Sequence, residues 1–202
     1  MHADPAAAEV LEFWFGTTAG DAAELAFGEK RWFAGGPGFD AEVRERFGEL
    51  VERALAGELD AWTGSAPSWL ALLLLLDQFT RNLNRRSARA FSGDDYALRI
   101  LFDGMRRGLD RELPPVRRIF AYMPLQHAEN RSLQTISVAL VEATAREVPE
   151  SLRQKFQVFA DFARRHRDVV ERFGRFPHRN AVLGRETTPE ERAHLAAHPH
   201  GF

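Results

Sequence analysis

The stretch "WLALLLLL", Trp69 to Leu76, constrains this chain more than any other. Its 8 apolar residues leave no polar face whichever way a helix is turned, so the segment must be covered on all sides. As a helix it is roughly 12 Å long, against about 30 Å for a bilayer core, which is too short to span a membrane. It reads as the central helix of a folded core, opened by Ser68 and covering 68–82.

Around it, helix signals recur and strand signals are nearly absent. Asp4-Pro5 is an N-cap followed by proline at the first helical position, and Val10, Leu11 and Trp14 form one face before Gly16 stops the helix. "DAAELAFGEKRWFAGGPG" reads ambiguously, as a short helix around Lys30 and then a glycine-rich loop. Asp40 is expected to cap the next helix, which keeps its period through Val43, Phe47, Leu50, Val51 and Leu55. Asp94 or Ser92 caps "DDYALRILFDGMRRG", which ends at Gly108. Pro114-Pro115 opens a short helix cut at Pro124. A further helix is expected from about Gln126 to Glu147, and another from about Glu150 to Phe173, closed by Gly174. Thr188-Pro189-Glu190-Glu191 is a capping box opening a last short helix.

The expectation is an all-α chain of seven to eight helices in a single domain over 1–202, with 197–202 as a frayed tail carrying His198 and His200. The length of 202 residues suits one domain that buries a real core. The 27 basic and 29 acidic residues nearly balance, which gives no argument for a nucleic acid or an anionic membrane as partner. There is no cysteine, which removes disulfides, zinc–thiolate sites and thiol nucleophiles and fits a cytoplasmic setting. The start, "MHADPAAAEVLEFWFG", does not read as a signal peptide, because acids at Asp4, Glu9 and Glu12 interrupt its apolar residues. No G-x-x-x-x-G-K loop, no G-x-G-x-x-G after a strand and no G-x-S-x-G elbow occurs, which counts against the common nucleotide, dinucleotide and serine-hydrolase classes.

Four polar clusters sit on these apolar helices. Asp77 and Arg81 are four apart and share a face directly after the leucine run. A buried pair of this kind either ties the helix to its neighbours or turns Arg81 and Arg85 into a cavity, with Asp77 orienting one of them. In "YMPLQHAENRSLQ", His127 and Glu129 are expected in the first turn of a helix, where a carboxylate is favoured by the dipole and a neutral histidine suits hydrogen bonding or ligation. His166 falls on the apolar stripe Leu152, Phe156, Phe159, Phe162, Ala163, Val169, Val170, Phe173, as a satisfied core residue or a ligand. Last comes "ERFGRFPHRNAVLGRETTPEE". Arg172 and Arg175 suit a helix C-terminus, whereas Phe176 and Pro177 fix a loop that presents His178, Arg179 and Asn180 as donors for a planar anion.

"LLDQFTRN", "YMPLQHAEN" and "FGRFPHRNAVLGRETTPEE" resemble the motifs of a widespread bacterial family classed as a domain of unknown function. The resemblance extends over nearly the whole chain, from "VLEFWFG" to "TTPEE". It implies an all-helical fold similar to tetratricopeptide-repeat superhelices, with helices in antiparallel pairs and a right-handed superhelix. Asp77, Gln78, Arg81, Asn82, Arg85, His127, Glu129, Arg175, His178, Arg179 and Asn180 match the family's signature positions, and His166 matches a histidine ahead of the last motif. The chain departs from the pattern at "QHAE", where an acid and then His-Ser-Glu is expected, and at Arg86, where a small residue or an acid is common.

Three readings follow. In the first, Asp77, Arg81, Arg85, His127, Glu129, His166, Arg175, His178, Arg179 and Asn180 hold a small phosphate- or carboxylate-bearing ligand. Within that reading His127, Glu129, His166 and His178 are the candidate acids and bases for a reaction. In the second, the chain is a helical scaffold binding a peptide or protein in its groove. In the third, His127, Glu129, His166, His178 and Asp77 bind a metal, although no helical H-E-x-x-H pattern occurs. No cofactor follows from the sequence.

Overall fold

The computed structural model describes residues 4–29, 31–32 and 36–199. The chain is all-α, and no strand occurs among the described residues. Nor is any of their helices long and apolar enough to cross a membrane. The chain divides into two compact units, one of Met1–Arg85 with Arg89–Pro124, the other of Arg86–Ala88 with Leu125–Phe202.

The first unit opens with α1 (Pro5–Phe15), capped by Asp4, whose Oδ1 accepts the Ala6 amide at 2.9 Å. Gly16 ends it at φ 86°, a value that favours glycine. Helix α2 (Asp21–Gly28) follows; Lys30 and residues 33–35, part of the expected glycine-rich loop, lie outside the described residues. Helix α3 (Pro37–Leu55) starts three residues before the cap expected at Asp40, with Gly36 in the cap position. Pro37 explains the earlier start, since it needs no amide partner in a first turn.

The leucine run lies in α4 (Ala66–Leu73), which passes through a π-helical turn at Leu74–Phe79 into α5 (Thr80–Leu83). Its cap is Ser65 and not Ser68; the Ser65 hydroxyl faces the Ser68 amide, and Pro67 is tolerated in the first turn. Every residue from Trp69 to Leu76 is buried, as an all-round apolar helix requires. In the π turn the Thr80 hydroxyl and amide both bond the carbonyl of Leu75, the hydroxyl at 2.8 Å, which closes the widened turn. Phe13, Trp14, Phe47, Phe79 and Phe120 meet this core in edge and tilted contacts, as between Phe47 and Phe79 at 5.1 Å.

Helix α6 (Asp94–Arg106) passes close over Trp69. A Cβ at Gly104 would lie 2.3 Å from the indole, so only glycine admits the approach. The Trp69 indole donates to the Ile100 carbonyl at 2.8 Å. Gly93, and neither Asp94 nor Ser92, holds the cap position. Helix α7 (Pro115–Ala121) begins at the predicted proline, but Pro124 does not end the helical path. It lies inside the short α8 (Met123–His127).

The second unit is built on α9 (Arg131–Glu147) and α10 (Glu150–Phe173), which the two residues Val148 and Pro149 join into a hairpin. Phe156, Phe159, Ala160, Ala163, His166, Val169 and Val170 form the buried stripe of α10. Helix α9 starts at Arg131, capped by the Asn130 side chain, which accepts the Leu133 amide at 3.1 Å. The expected start near Gln126 is therefore too early. Gln126 and His127 finish α8, and Glu129 lies in the connection. Helix α11 (Pro189–Ala197) has the predicted capping box between Thr188 and Glu191. His198 follows it exposed, and His200 lies outside the described residues.

Candidate functional site

Asp77, Arg81 and Arg85 belong to the first unit, where each meets carboxylates or donors of that unit. Asp77 is buried, and Arg81 Nη1 lies 2.8 Å from its Oδ1, the i,i+4 pair read from the sequence. The same nitrogen donates to the Asp77 carbonyl at 2.7 Å. Arg81 also reaches Asp94 at 3.0 Å. Gln78 donates to the second Asp77 oxygen at 2.6 Å. Arg85 holds Asp40 through Nε at 2.5 Å and Nη2 at 3.1 Å, and Asn82 donates to the same carboxylate at 2.8 Å. Asp40 and Asp94, both assigned to caps from sequence, are thus the counter-ions of this network. Glycine at each cap position leaves their side chains free for it.

In the second unit the loop after α10 is built in three steps. Gly174, at φ 73°, reverses the chain, and its amide bonds the Val170 carbonyl at 2.8 Å. Phe176 then turns back onto Val169 and Val170 and is fully buried, which stabilises the loop by about 1.5–3 kcal/mol. A 3₁₀ turn at Pro177–Arg179 places His178 and Arg179 beside that ring.

Phe176 is the centre of the cluster. The His166 ring stands edge-on to it at 5.6 Å, and the His178 ring is tilted at the same 5.6 Å. The Arg179 guanidinium lies 4.5 Å over its face. His127 is 6.0 Å from His166, ring to ring, and its carbonyl accepts from Arg179 Nη2 at 3.0 Å. The Phe176 amide donates to Glu129 at 2.7 Å. Glu129 is clamped in turn by Arg185, Nη1 at 2.5 Å and Nη2 at 2.9 Å. The loop therefore folds back toward His127 and Glu129. However, neither residue lies in a helical first turn, so the dipole argument made for them does not apply.

Arg175 and Asn180 turn elsewhere. Arg175 donates to Glu191 at 2.6 Å and 2.9 Å, and Asn180 donates to the same carboxylate at 3.1 Å. Glu191 also accepts the Thr188 amide at 2.8 Å. Hydrogen bonding by Arg175, with help from Thr188 and Asn180 and against the opposing effect of burial, brings this carboxyl down to about 2. Arg175 is thus engaged with α11 and not with the end of α10.

Burial pushes His166 down to about 3, with the neighbouring His127 and the Arg179 charge acting in the same direction. Its Nδ1 lies 2.8 Å from the Phe162 carbonyl. A carbonyl only accepts, so Nδ1 carries the proton and Nε2 the lone pair. Burial and the adjacent Arg179 charge bring His178 to about 4, although Glu129 opposes them. Burial raises Glu129, but the Arg185 hydrogen bonds, the Phe176 amide and the two arginine charges together hold it below its ordinary value. Both imidazoles are thus neutral near pH 7, beside a fixed guanidinium.

Three side chains of this arrangement have partners that no local sequence pattern shows. Arg185 lies inside the long motif but has no role assigned from sequence, and Glu191 is assigned only to the capping box, not to its pair with Arg175. Gln134 is buried and donates to the carbonyls of Gln126 and Ala128 at 2.7 and 2.8 Å, tying α9 to the end of α8. Among the described residues no group of three or more His, Asp or Glu is arranged to hold a metal ion.

A solved protein of unknown function from Agrobacterium tumefaciens, ATU0120, is similar over 95% of this chain and 97% of its own, at 37% identity and a TM-score of 0.80. No protein of curated function matches the sequence. Residues 10–198 match the model of DUF924, bacterial proteins of unknown function, and the chain belongs to that family.

Proposed function

We propose that the cluster around Phe176 binds the anionic group of a small phosphate- or carboxylate-bearing molecule in the cytoplasm. The observation that carries this reading is Arg179. The residue is buried at 6% exposure, its guanidinium carbon lies 4.5 Å from the centre of the Phe176 ring, and Nη2 donates to the His127 carbonyl. Burying a guanidinium is costly, and a rigid, planar set of donors is what bidentate recognition of a carboxylate or phosphate needs. His166 and His178 supply neutral imidazoles beside it. With values near 3 and 4 they are unprotonated at neutral pH. Neutral His178 keeps one N–H to donate to an anion, whereas His166, its Nδ1 proton held by the Phe162 carbonyl, donates to one only after Nε2 takes up a proton; both are poor as general acids. This favours binding over acid catalysis. An arriving anion would raise both values and draw protons into the site.

Thermal denaturation tests the proposal. Inorganic phosphate, pyrophosphate and citrate should be titrated against the protein and against Arg179→Lys. A ligand at about 100 times its Kd should raise the midpoint by about 5–10 °C. The lysine variant, which lacks the planar fork, should keep its helicity and lose most of that shift. If no anion shifts the wild-type protein, the cluster is a structural one, and a scaffold that binds a peptide becomes the leading reading.

A further inference from the structure

The first unit has a cleft lined by Glu12, Phe13, Phe15 and Gly16 of the "VLEFWFG" segment and by side chains that follow it in the chain. Its volume is about 410 Å³, within the range of small-molecule pockets. Its lining is amphipathic. Phe13 and Phe27 line it with Arg31 and Arg46, and Glu12 and Glu42 lie among them. Phe27 is one of the few large apolar side chains left exposed, at 39%. It lies against the bare backbone of Gly16, where a Cβ would stand 3.0 Å from the ring.

The two arginines differ. Arg46 is engaged by Glu9 at 3.0 Å and by Glu42 at 3.4 Å. Arg31 has aromatic rings around its guanidinium, with Phe13 at 4.7 Å, Phe39 at 5.1 Å and Phe27 at 5.2 Å. Its nearest carboxylate, Glu42, is 3.7 Å away, too far for a hydrogen bond. Arg31 Nε is buried with no acceptor. A guanidinium has five N–H donors, and among the described residues Arg31 donates none of them to a side chain or carbonyl. Aromatic rings hold its plane but cannot satisfy its edge.

We infer that this cleft binds a small molecule carrying a carboxylate on a ring-sized apolar body. The carboxylate would take the Arg31 fork in a bidentate pair, and the ring would pack on Phe27 and Phe13. The edge of Arg31, ion-paired to Glu42 at 3.7 Å but donating no hydrogen bond among the described residues, suits a planar acceptor, and the exposed ring beside it suits apolar cover. Glu12 also lines the cleft and is exposed. It makes no side-chain hydrogen bond or ion pair among the described residues. It would read whether the ligand carries an ammonium group as well, so an aromatic carboxylic acid and an aromatic amino acid share the chemistry and differ at Glu12.

Isothermal titration of the full chain with 3-phenylpropionate, L-phenylalanine and propionate tests the inference. At least one of the two ring compounds should bind at a single site with Kd at or below about 1 mM, and propionate should bind at least about tenfold more weakly. Tighter binding of L-phenylalanine would assign Glu12 to an ammonium group, and tighter binding of 3-phenylpropionate would assign the site to simple acids; either order supports the cleft. Arg31→Lys and Phe27→Ala should each weaken the ring compound by about tenfold or more. Arg179→Lys should leave it unchanged, which separates this site from the Phe176 cluster. No heat from either ring compound up to about 10 mM would overturn the inference. So would affinity undiminished in variants that keep the wild-type helical spectrum.

Discussion

Glu129 and Arg185 form a bidentate pair at 2.5 and 2.9 Å, across 56 residues of sequence. The same carboxylate receives the Phe176 amide at 2.7 Å. Three segments, the connection after α8, the loop after α10 and the approach to α11, are thus pinned through one side chain. Glu129→Gln should therefore loosen the loop as a whole. Both partners are 23% exposed, so the cost should fall between that of surface and buried pairs, at about 1–3 kcal/mol. Urea denaturation of the single variants and the double variant Glu129→Gln/Arg185→Met gives the coupling energy. Additive effects of the two changes would show that the pair does not act as a unit.

His166 makes stability depend on pH. Its folded value near 3 lies below its ordinary 6.5, so the unfolded chain takes up a proton that the folded chain refuses. The stability this contributes is complete above about pH 6.5 and is lost as pH falls toward 3. Between pH 6.5 and 5 the loss should be about 1.5–2 kcal/mol from this group. His178, with a value near 4, adds to it in the same direction. The lowered Glu129 has a contribution that is lost only below the ordinary carboxylate range. Chemical denaturation at pH 7 and pH 5 should show the loss, and His166→Phe should flatten it by about one proton. An equal slope in the variant would mean that His166 titrates normally in the fold.

Asp77 is buried, and its loss would normally strand a guanidinium. Arg81, however, also holds Asp94 at 3.0 Å. Asp77→Ala should therefore cost less than a fully broken buried pair, at about 2–3 kcal/mol. Combining it with Asp94→Asn should be worse than the sum, because Arg81 then loses both acids. A change under about 0.5 kcal/mol in the single variant would place the pair among surface interactions.

The parts readable from sequence are those with local causes. "WLALLLLL" demanded burial on every side, Asp4-Pro5 and Thr188-Pro189 carried their own caps, and Gly174 marked a left-handed stop after an amphipathic stripe. His166 was placed on its buried face by counting. The errors arose where one residue type serves two purposes. Asp40 and Asp94 resemble caps, but glycines hold the cap positions and the carboxylates answer arginines elsewhere. Pro124 resembles a helix stop, yet it sits within the first turn of α8, where its missing amide costs nothing. Asn130 is the true start signal for α9, hidden among polar neighbours in "QHAENRS". The Glu129–Arg185 and Arg175–Glu191 pairs had no local pattern to reveal them, because distant segments meet only in the fold. Which arginine faces a ligand and which answers an internal carboxylate is decided by those long-range pairings.

The proposed anion site joins Arg179 to His166 and His178 around Phe176. The most direct measurement follows the histidine imidazole resonances by NMR during titration with inorganic phosphate at pH 6, in the protein and in Arg179→Lys. Saturable shifts of the His166 and His178 signals are expected, with a rise in both of their pKa values as the anion binds. Exposed His198 should change little, and the lysine variant should lose the effect. Phosphate shifts confined to exposed histidines, or identical in Arg179→Lys, would contradict an anion site at Arg179.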